Sequence, residues 1–342
     1  MIRILLIIIL TSMPAIVAAQ SGGFAGSHTR IGFNPRGIGM GNAMVSVSDE
    51  GIYTYHNPAH AANVAATQID IGTAVMAFGR SLNTLGAALR LPPNAGLYIG
   101  VMNANVKDID GRTSSGYHTR MYAVHDYQLL TSFGIKPGER VRIGATMKLN
   151  FANYDKDVSA SQAFGMDLGM LITPSEKLHI GFAVQDLFTE TVWNTAEFYG
   201  AAGSSNTSNR WPTRITLGAS HRPSDKLLVS AEIEQQVQFS TVINRQVETG
   251  FDYPVPFDRE EEITTSTRKL RLGARHHIHE RLTLRAGYQL GDLGYIADNQ
   301  RMSLGFSVHL PFDTMSPSID YAVTREPGGI SFMHAFAIRL NL

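Results

Sequence analysis

From residue 66 onward the chain alternates apolar and polar positions with a period of two. In 281–290, Leu282, Leu284, Ala286, Tyr288 and Leu290 alternate with Thr283, Arg285, Gly287 and Gln289. In 301–310, Met302, Leu304, Phe306, Val308 and Leu310 alternate with Arg301, Ser303, Gly305, Ser307 and His309. The stretch 141–151 places Arg142, Thr146, Lys148 and Asn150 on its polar face, and 164–172 sets Asp167 opposite Met166, Leu168 and Met170. Such alternation marks strands with one apolar and one polar face. It predicts strands near 67–79, 82–91, 95–104, 119–135, 140–153, 160–173, 176–188, 210–222, 225–239, 268–278, 280–290, 299–310, 317–325 and 330–342. Strands of soluble proteins average roughly 5–6 residues, whereas a tilted strand needs about 9–11 to cross a bilayer. All of these are long enough for the second.

The connections alternate too. Short turns at 92–94, 137–139, 174–175, 223–224, 279 and 311–316 are interleaved with longer segments that include 188–209 and 240–267. Short turns on one rim and long loops on the other are the pattern of outer-membrane barrels, whose short turns face the periplasm. Within hydrocarbon every backbone N–H and C=O must be paired, and strands achieve this only by closing into a barrel. The expected fold is therefore all-β, a transmembrane antiparallel β-barrel of about 14 strands with an N-terminal plug segment in the lumen. Its polar faces would line the lumen with Arg142, Lys148, Asp167, His179, Arg214, Glu232, Glu234, Arg271, Arg275, Arg285 and Arg301.

The stretch 36–59, RGIGMGNAMVSVSDEGIYTYHNPA, breaks the alternation. Gly37, Gly39 and Gly41 fall at every second position, and each costs a helix roughly 1 kcal/mol relative to Ala. A short extended piece is expected at Met44, Val45 and Val47, followed by turns at Asp49-Glu50-Gly51 and Asn57-Pro58. The glycines do not make a phosphate cradle, because no buried strand precedes them and no Lys-Ser/Thr or amphipathic helix follows. Ile38, Met40, Met44, Val45, Val47, Ile52, Tyr53 and Tyr55 are too apolar for a solvated loop. We expect residues 20–65 to form a plug for a barrel built from 66–342, with Arg36, Gly39, Met40, Gly41, Asp49, Glu50, Asn57 and Pro58 as plug and gating residues.

The first twenty residues, MIRILLIIILTSMPAIVAAQ, combine a basic residue, an apolar run and small residues up to Ala19. This is the pattern of a signal peptide over 1–19 and implies export. The sequence has no Cys, which removes disulfide and thiolate chemistry. With 29 basic and 29 acidic residues it offers nothing to attract nucleic acid. His276, His277 and His279 are the best metal candidates, yet in a strand only His277 and His279 share a face. Glu232 and Glu234 also share a face, but Arg271 or Arg275 would neutralise them as lumen partners. Asp258 with Glu260, Glu261 and Glu262 forms an acidic run in the longest loop, where a charge run is usually solvated. No catalytic residue, metal or cofactor is expected.

The pattern GMGNA, VSDEG and HNPA ahead of about fourteen strands resembles the FadL-like outer-membrane barrels, and more closely the PorV/PorQ family. Residues 36–43, Asp49-Glu50 and 57–59 carry the resemblance, as does MNANVKDIDGR at 102–112. It implies a plugged barrel in the outer membrane of a Gram-negative-type envelope, with outer-membrane lipid around it. It further implies a component of transport or of type IX protein secretion that docks exported cargo or secretion-machinery proteins. The alternative is a passive conduit for hydrophobic small molecules. His56, where relatives carry an aromatic residue, and the Asn341-Leu342 terminus depart from the family pattern.

Overall fold

The computed structural model describes residues 25–153, 161–194, 206–249, 254–291, 300–310, 315–326, 329 and 331–342; the expected signal peptide lies outside them. The strands are β1 (Gln68–Val75), β2 (Arg80–Leu91), β3 (Ala95–Arg112), β4 (His118–Gly138), β5 (Val141–Asn153), β6 (Ser161–Ser175), β7 (Leu178–Leu187), β8 (Glu190–Asn194), β9 (Asn206–Arg210), β10 (Thr213–Ser224), β11 (Leu227–Thr249), β12 (Pro254–His279), β13 (Leu282–Leu290), β14 (Gln300–His309), β15 (Ser318–Arg325) and β16 (Phe332–Asn341). All pair antiparallel in one sheet. β8 and β9 form a side hairpin, and the other fourteen close on themselves through β1–β16 and β5–β6. The closing seam pairs Gln68 with Asn341 and Val75 with His334. At the short-turn rim, Leu342 N donates to Thr67 O at 2.9 Å, so the end of the barrel meets its start.

Every expected strand is present, and the face assignment follows the alternation. On β13, Thr283, Arg285 and Gln289 are buried while Leu284 points outward and is exposed. Around the outside, Ile71, Phe133, Leu217, Leu272, Leu304 and Ile338 are exposed in the same sense. An exposed apolar belt this continuous is unstable in water. Covered by hydrocarbon, it is the wall of a membrane-spanning barrel.

Two expected loops are strands instead. The stretch 240–267 was expected as a loop, but β11 and β12 continue as one ladder to the pair Thr249–Pro254. Val242, Ile243, Ile263, Thr264 and Thr265 are β-branched, and their strand preference extends a ladder that the barrel has already nucleated. The acidic run therefore belongs to β12, where Glu261 pairs with Val242 and Glu262 with Thr241. The stretch 188–209 contains the β8–β9 hairpin, whose register at Glu190–Arg210 nearly continues that of β7–β10 at Gln185–Arg214. The interruption is local. Asp186 and Phe188 both have φ of 60°, and Pro212 has no N–H to offer a ladder. The rim is consequently uneven: β11 and β12 have 23 and 26 residues, whereas β1 and β15 have 8 each.

Leu304 sits midway along β14 and points outward. Leu304→Arg should lower barrel stability by about 2–4 kcal/mol, measured by reversible folding into phospholipid vesicles. A cost close to zero would mean that this face is not in hydrocarbon.

Candidate functional site: the plugged lumen

Described residues 25–65 lie inside the barrel. A five-residue helix, α1 (Pro35–Gly39), starts the buried part. The glycine spacing argues against a helix here, but a cap overrides it. Asn34 Oδ1 accepts from Gly37 N at 2.9 Å, and Pro35 holds the first helical position. The same device recurs at Pro58–Asn63, a 3-10 turn capped by Asn57, whose Oδ1 accepts from Ala59 N at 3.0 Å. Met44, Val45 and Val47 form turns, not the expected extended piece, because no strand edge in the closed barrel is left to pair with them.

The wall receives this chain through a belt of inward-facing glycines. A Cβ built on Gly287 would stand 2.0 Å from Gly41 N, one on Gly181 2.2 Å from Val45 O, and one on Gly144 2.4 Å from Pro58 O. Gly96, Gly134 and Gly273 meet the backbone of Ala61, Ala62 and Met40 in the same way, and Gly169 meets the Asn57 side chain. The plug backbone thus lies directly on the wall backbone, at distances that side chains would forbid. It circles the bore from β12–β14 through β7 and β5–β6 to β3–β4.

Ionic contacts lock the plug in place. Glu50 is 2% exposed. Its carboxylate accepts from Arg275 Nη1 at 2.8 Å and Arg285 Nε at 2.7 Å, with a further contact from Arg285 Nη2. Its backbone carbonyl accepts from Arg36 Nη1 at 2.9 Å and Arg339 Nη1 at 2.6 Å. Arg36 also reaches Asp320 at 2.9 Å, Arg339 reaches Asp70 at 2.8 Å, and the Arg339 guanidinium stacks 4.8 Å from the Tyr53 ring centroid. Burial would raise the Glu50 pKa, but Arg285, Arg36 and Arg275 outweigh it and hold the carboxyl well below the usual carboxylate range. Asp49, at the short-turn rim, pairs with Arg222 at 2.5 Å and Arg275 at 3.0 Å.

Two more clusters continue along the wall from β12 to β5. Arg271 donates to Glu232 at 2.5 Å and to Glu234 at 2.8 Å, and Glu232 also accepts from Val45 N at 2.9 Å. One guanidinium therefore spans both glutamates, which leaves neither arranged as a free acid or base. Lys148, 1% exposed, lies 2.6 Å from Asp167 and 2.8 Å from Asp186, and Arg214 reaches Asp186 at 2.7 Å. Arg142 stands at the short-turn rim, 3.3 Å from Thr173 Oγ1. Arg301, near the opposite rim, enters none of these clusters. Asn57 Nδ2 ties the plug to itself and to the wall, donating to Val45 O at 2.8 Å and Met170 O at 3.1 Å. His277 is bonded to Thr283 Oγ1 at 2.7 Å and His279 Nδ1 accepts from Arg281 N at 3.2 Å. The side chains of Asp258 and Glu260 lie outside the described residues.

Sequence reasoning missed Asp70, Asp186, Asp320 and Arg339. Three of them are legible by parity: Asp70, Asp320 and Arg339 occupy polar positions of alternating segments, opposite Ile71, Tyr321 and Ile338. Asp186 is not, because the positive φ at that residue turns it inward directly after the inward Gln185.

The lumen also has a greasy sector. Phe33, Ile38, Met44 and Tyr53 from the plug pack with Met76, Leu82, Tyr98, Met102 and Met333 from the wall around β1–β3 and β16. Phe33 stacks against Tyr55 at 5.6 Å and Tyr98 at 6.3 Å between ring centroids. Paired charges run round the bore from β5 to β16 and β1, and the methionines and aromatics pack on β1–β3 and β16 beside them.

These features define a plugged transmembrane β-barrel with a FadL-like fold. Solved structures of the same architecture include the Pseudomonas putida toluene transporter TodX, with a TM-score of 0.58 and 12% identity over 90% of this chain and 96% of that one. The CymD monoaromatic hydrocarbon channel matches with a TM-score of 0.58 and 14% identity over 93% and 97% of the two chains. A Pseudomonas aeruginosa FadL homologue matches with a TM-score of 0.55 and 13% identity over 90% and 97%. No family model matches the chain, and no curated protein matches it in sequence.

Glu50→Gln should weaken plug docking by about 3–5 kcal/mol, since it strands buried guanidiniums. Faster hydrogen exchange across 36–59 with unchanged exchange in the barrel strands would register it. Gly287→Val should release the same amides without changing any charge. Acid acts through histidine first. Burial, with Arg30 adding to it, pulls His28 down to about 4, and burial pulls His60 down to about 4 against the Met44 carbonyl that it contacts. A group whose docked pKa lies below its value in water near 6.5 favours docking fully above that value and loses the contribution as pH falls. Plug protection should therefore decline between pH 6.5 and about 4, before Glu50 is protonated. Protection that stays flat across that window would contradict the burial of these imidazoles.

Proposed function

We propose that the chain is an outer-membrane conduit for hydrophobic small molecules, with the plug as its gate. The observation that carries this reading is the apolar sector of the bore, where Phe33, Met76, Leu82, Tyr98, Met102 and Met333 form a continuous greasy surface between plug and wall. A membrane barrel has its lipid-facing surface to satisfy the hydrophobic effect, so an apolar stripe on the inside serves something other than holding the wall together. Methionine is flexible and polarisable, and it repacks around an apolar guest at little cost. The apolar contacts of this sector would yield to a guest, while the Arg339–Asp70 and Arg36–Asp320 pairs on β16, β1 and β15 hold the plug along the same strands. Arg36, Asp49, Glu50, Asn57 and Pro58 act as the hinge and latch, and Gly39, Met40 and Gly41 as the backbone seat on the glycine belt. The fold relatives described as a toluene transporter and a monoaromatic hydrocarbon channel support this assignment and an outer-membrane location.

The resemblance to the PorV/PorQ family suggests docking of exported proteins, for which the tall β11–β12 hairpin would be the natural surface. No feature of the bore calls for that role, and the fold relatives favour the conduit. In vesicles of outer-membrane lipid, the full chain should raise the uptake rate of radiolabelled toluene. Gly287→Val should raise it further, and Met102→Lys should reduce it severalfold by placing a charge in the apolar sector. Uptake no faster than in empty vesicles for all three proteins, with stable capture of secretion subunits from native membranes, would replace this reading with docking.

A further inference from the structure

On the rim opposite the short turns, one ion pair spans the mouth of the apolar sector. Arg80 stands at the start of β2 and Glu326 directly after β15, and β1 and β16 lie between them. Arg80 Nη2 nonetheless reaches Glu326 Oε2 at 2.5 Å. The two strands are three spacings apart, roughly 14 Å, a gap closed only by side chains that extend toward each other across the lumen. Both face inward by parity, since Leu82 and Thr324, each two residues away along the chain, are buried. In the row that holds Arg80, Met76 N donates to Arg80 O at 3.0 Å, and Met333 pairs with Thr324. The bridge therefore passes over Met76 and Met333, the methionines at that end of the apolar sector.

Its two ends are held unequally. Glu326 is fixed at the base of its turn, where its N–H donates to Ser331 O at 3.0 Å and its carbonyl accepts from Gly329 N at 3.0 Å. Its side chain is wholly buried, and its second oxygen, Oε1, has no hydrogen-bond partner among the described residues. Arg80 is 29% exposed, so its guanidinium can swing into water. It also has a second seat. Phe78, in the β1–β2 turn, has a φ of 59° and is 70% exposed, and its ring centroid lies 6.0 Å from the Arg80 guanidinium. Positive φ is unusual for phenylalanine, and here it holds an aromatic face beside the arginine. A guanidinium leaving Glu326 can settle on that face as a cation–π partner.

We propose that Arg80 and Glu326 form a gating strap. Closed, it bars the mouth of the apolar sector; it opens when Arg80 leaves Glu326 for water and the Phe78 ring. It shares no residue with the Glu50 cluster that seats the plug. As a control on access to the sector, it rests on the conduit reading.

The chain has no cysteine, so Met333→Cys places a sole thiol beneath the strap. In nanodiscs, an anionic methanethiosulfonate that does not cross lipid should modify this thiol slowly. Adding Arg80→Gln should speed the reaction at least about tenfold, because a buried carboxylate stripped of its partner cannot hold the strap shut. The unpaired Glu326 repels the reagent, so a faster reaction reports access and not attraction. Arg80→Glu with Glu326→Arg should restore the slow rate by remaking the pair. Ser132→Cys, buried in the lumen on β4, reports general loosening and should react alike with and without Arg80→Gln. The readout is the ratio of the two thiols' rates, and a ratio that Arg80→Gln leaves unchanged would overturn the proposal. If that variant fails to assemble, salt at about 1 M takes its place, since it weakens the pair with no substitution at the strap and should raise the same ratio. Toluene uptake is read separately. A raised ratio with no uptake in any variant removes the conduit and leaves the strap, whereas uptake with an unchanged ratio removes the strap and leaves the conduit.

Discussion

A carboxylate in the middle of a barrel must be answered by positive charge, and here one carboxylate organises most of the bore. Glu50 touches four guanidiniums, two through its side chain and two through its backbone carbonyl. Arg275, Arg285 and Arg339 come from three separate wall strands, and Arg36 comes from the plug itself. Each would be costly to bury alone, because desolvation of an isolated charge amounts to several kcal/mol. Together with Asp70 and Asp320 they form a closed set in which plug and wall satisfy each other. The wall's guanidiniums and carboxylates fix the plug in place, which is why the plug can be short of regular secondary structure and still hold one conformation.

The glycine belt does the complementary work. Charge pairing fixes where the plug sits, but only backbone-on-backbone contact lets a chain of some forty residues pass round a fourteen-strand bore and leave room for anything else. The wall spends its small positions on the plug and places Met76, Met102 and Met333 against the plug's own apolar side chains. Packing is tight where backbone meets backbone and adaptable where flexible methionine side chains fill the space.

Much of this was legible in the sequence, and the reason is geometric. A barrel strand has one face to lipid and one to the lumen, so a period of two reports strand, face and closure together, as 281–290 and 301–310 do. Lumen-facing Arg271, Arg275 and Arg285 could be read from that parity alone. Their partners could not, since pairing depends on which strands lie across the bore and on where the plug turns. Asp186 escaped because a single residue of positive φ shifted the parity. The 240–267 stretch was misread because β-propensity looks like loop composition when charges interrupt it. In the plug, the glycines at Gly37, Gly39 and Gly41 read as helix breakers, yet Asn34 and Pro35 supply one turn of helix between them. Gly39 and Gly41 answer a different constraint, the wall at Gly305 and Gly287, and Gly37 makes room for His56 within the plug.

The exit of the plug has a mechanical consequence. Val64 leads through three residues to Gln68, and Gln68 is the first rung of the β1–β16 seam, beside the bond from Leu342 N to Thr67 O. A displaced plug therefore stays on a leash whose anchor is stitched into the barrel by a full strand. Such a tether keeps the loose segment at an effective concentration of about millimolar near its own seat. Reseating is then a first-order event, independent of how much protein the membrane holds, and each opening carries its own return stroke.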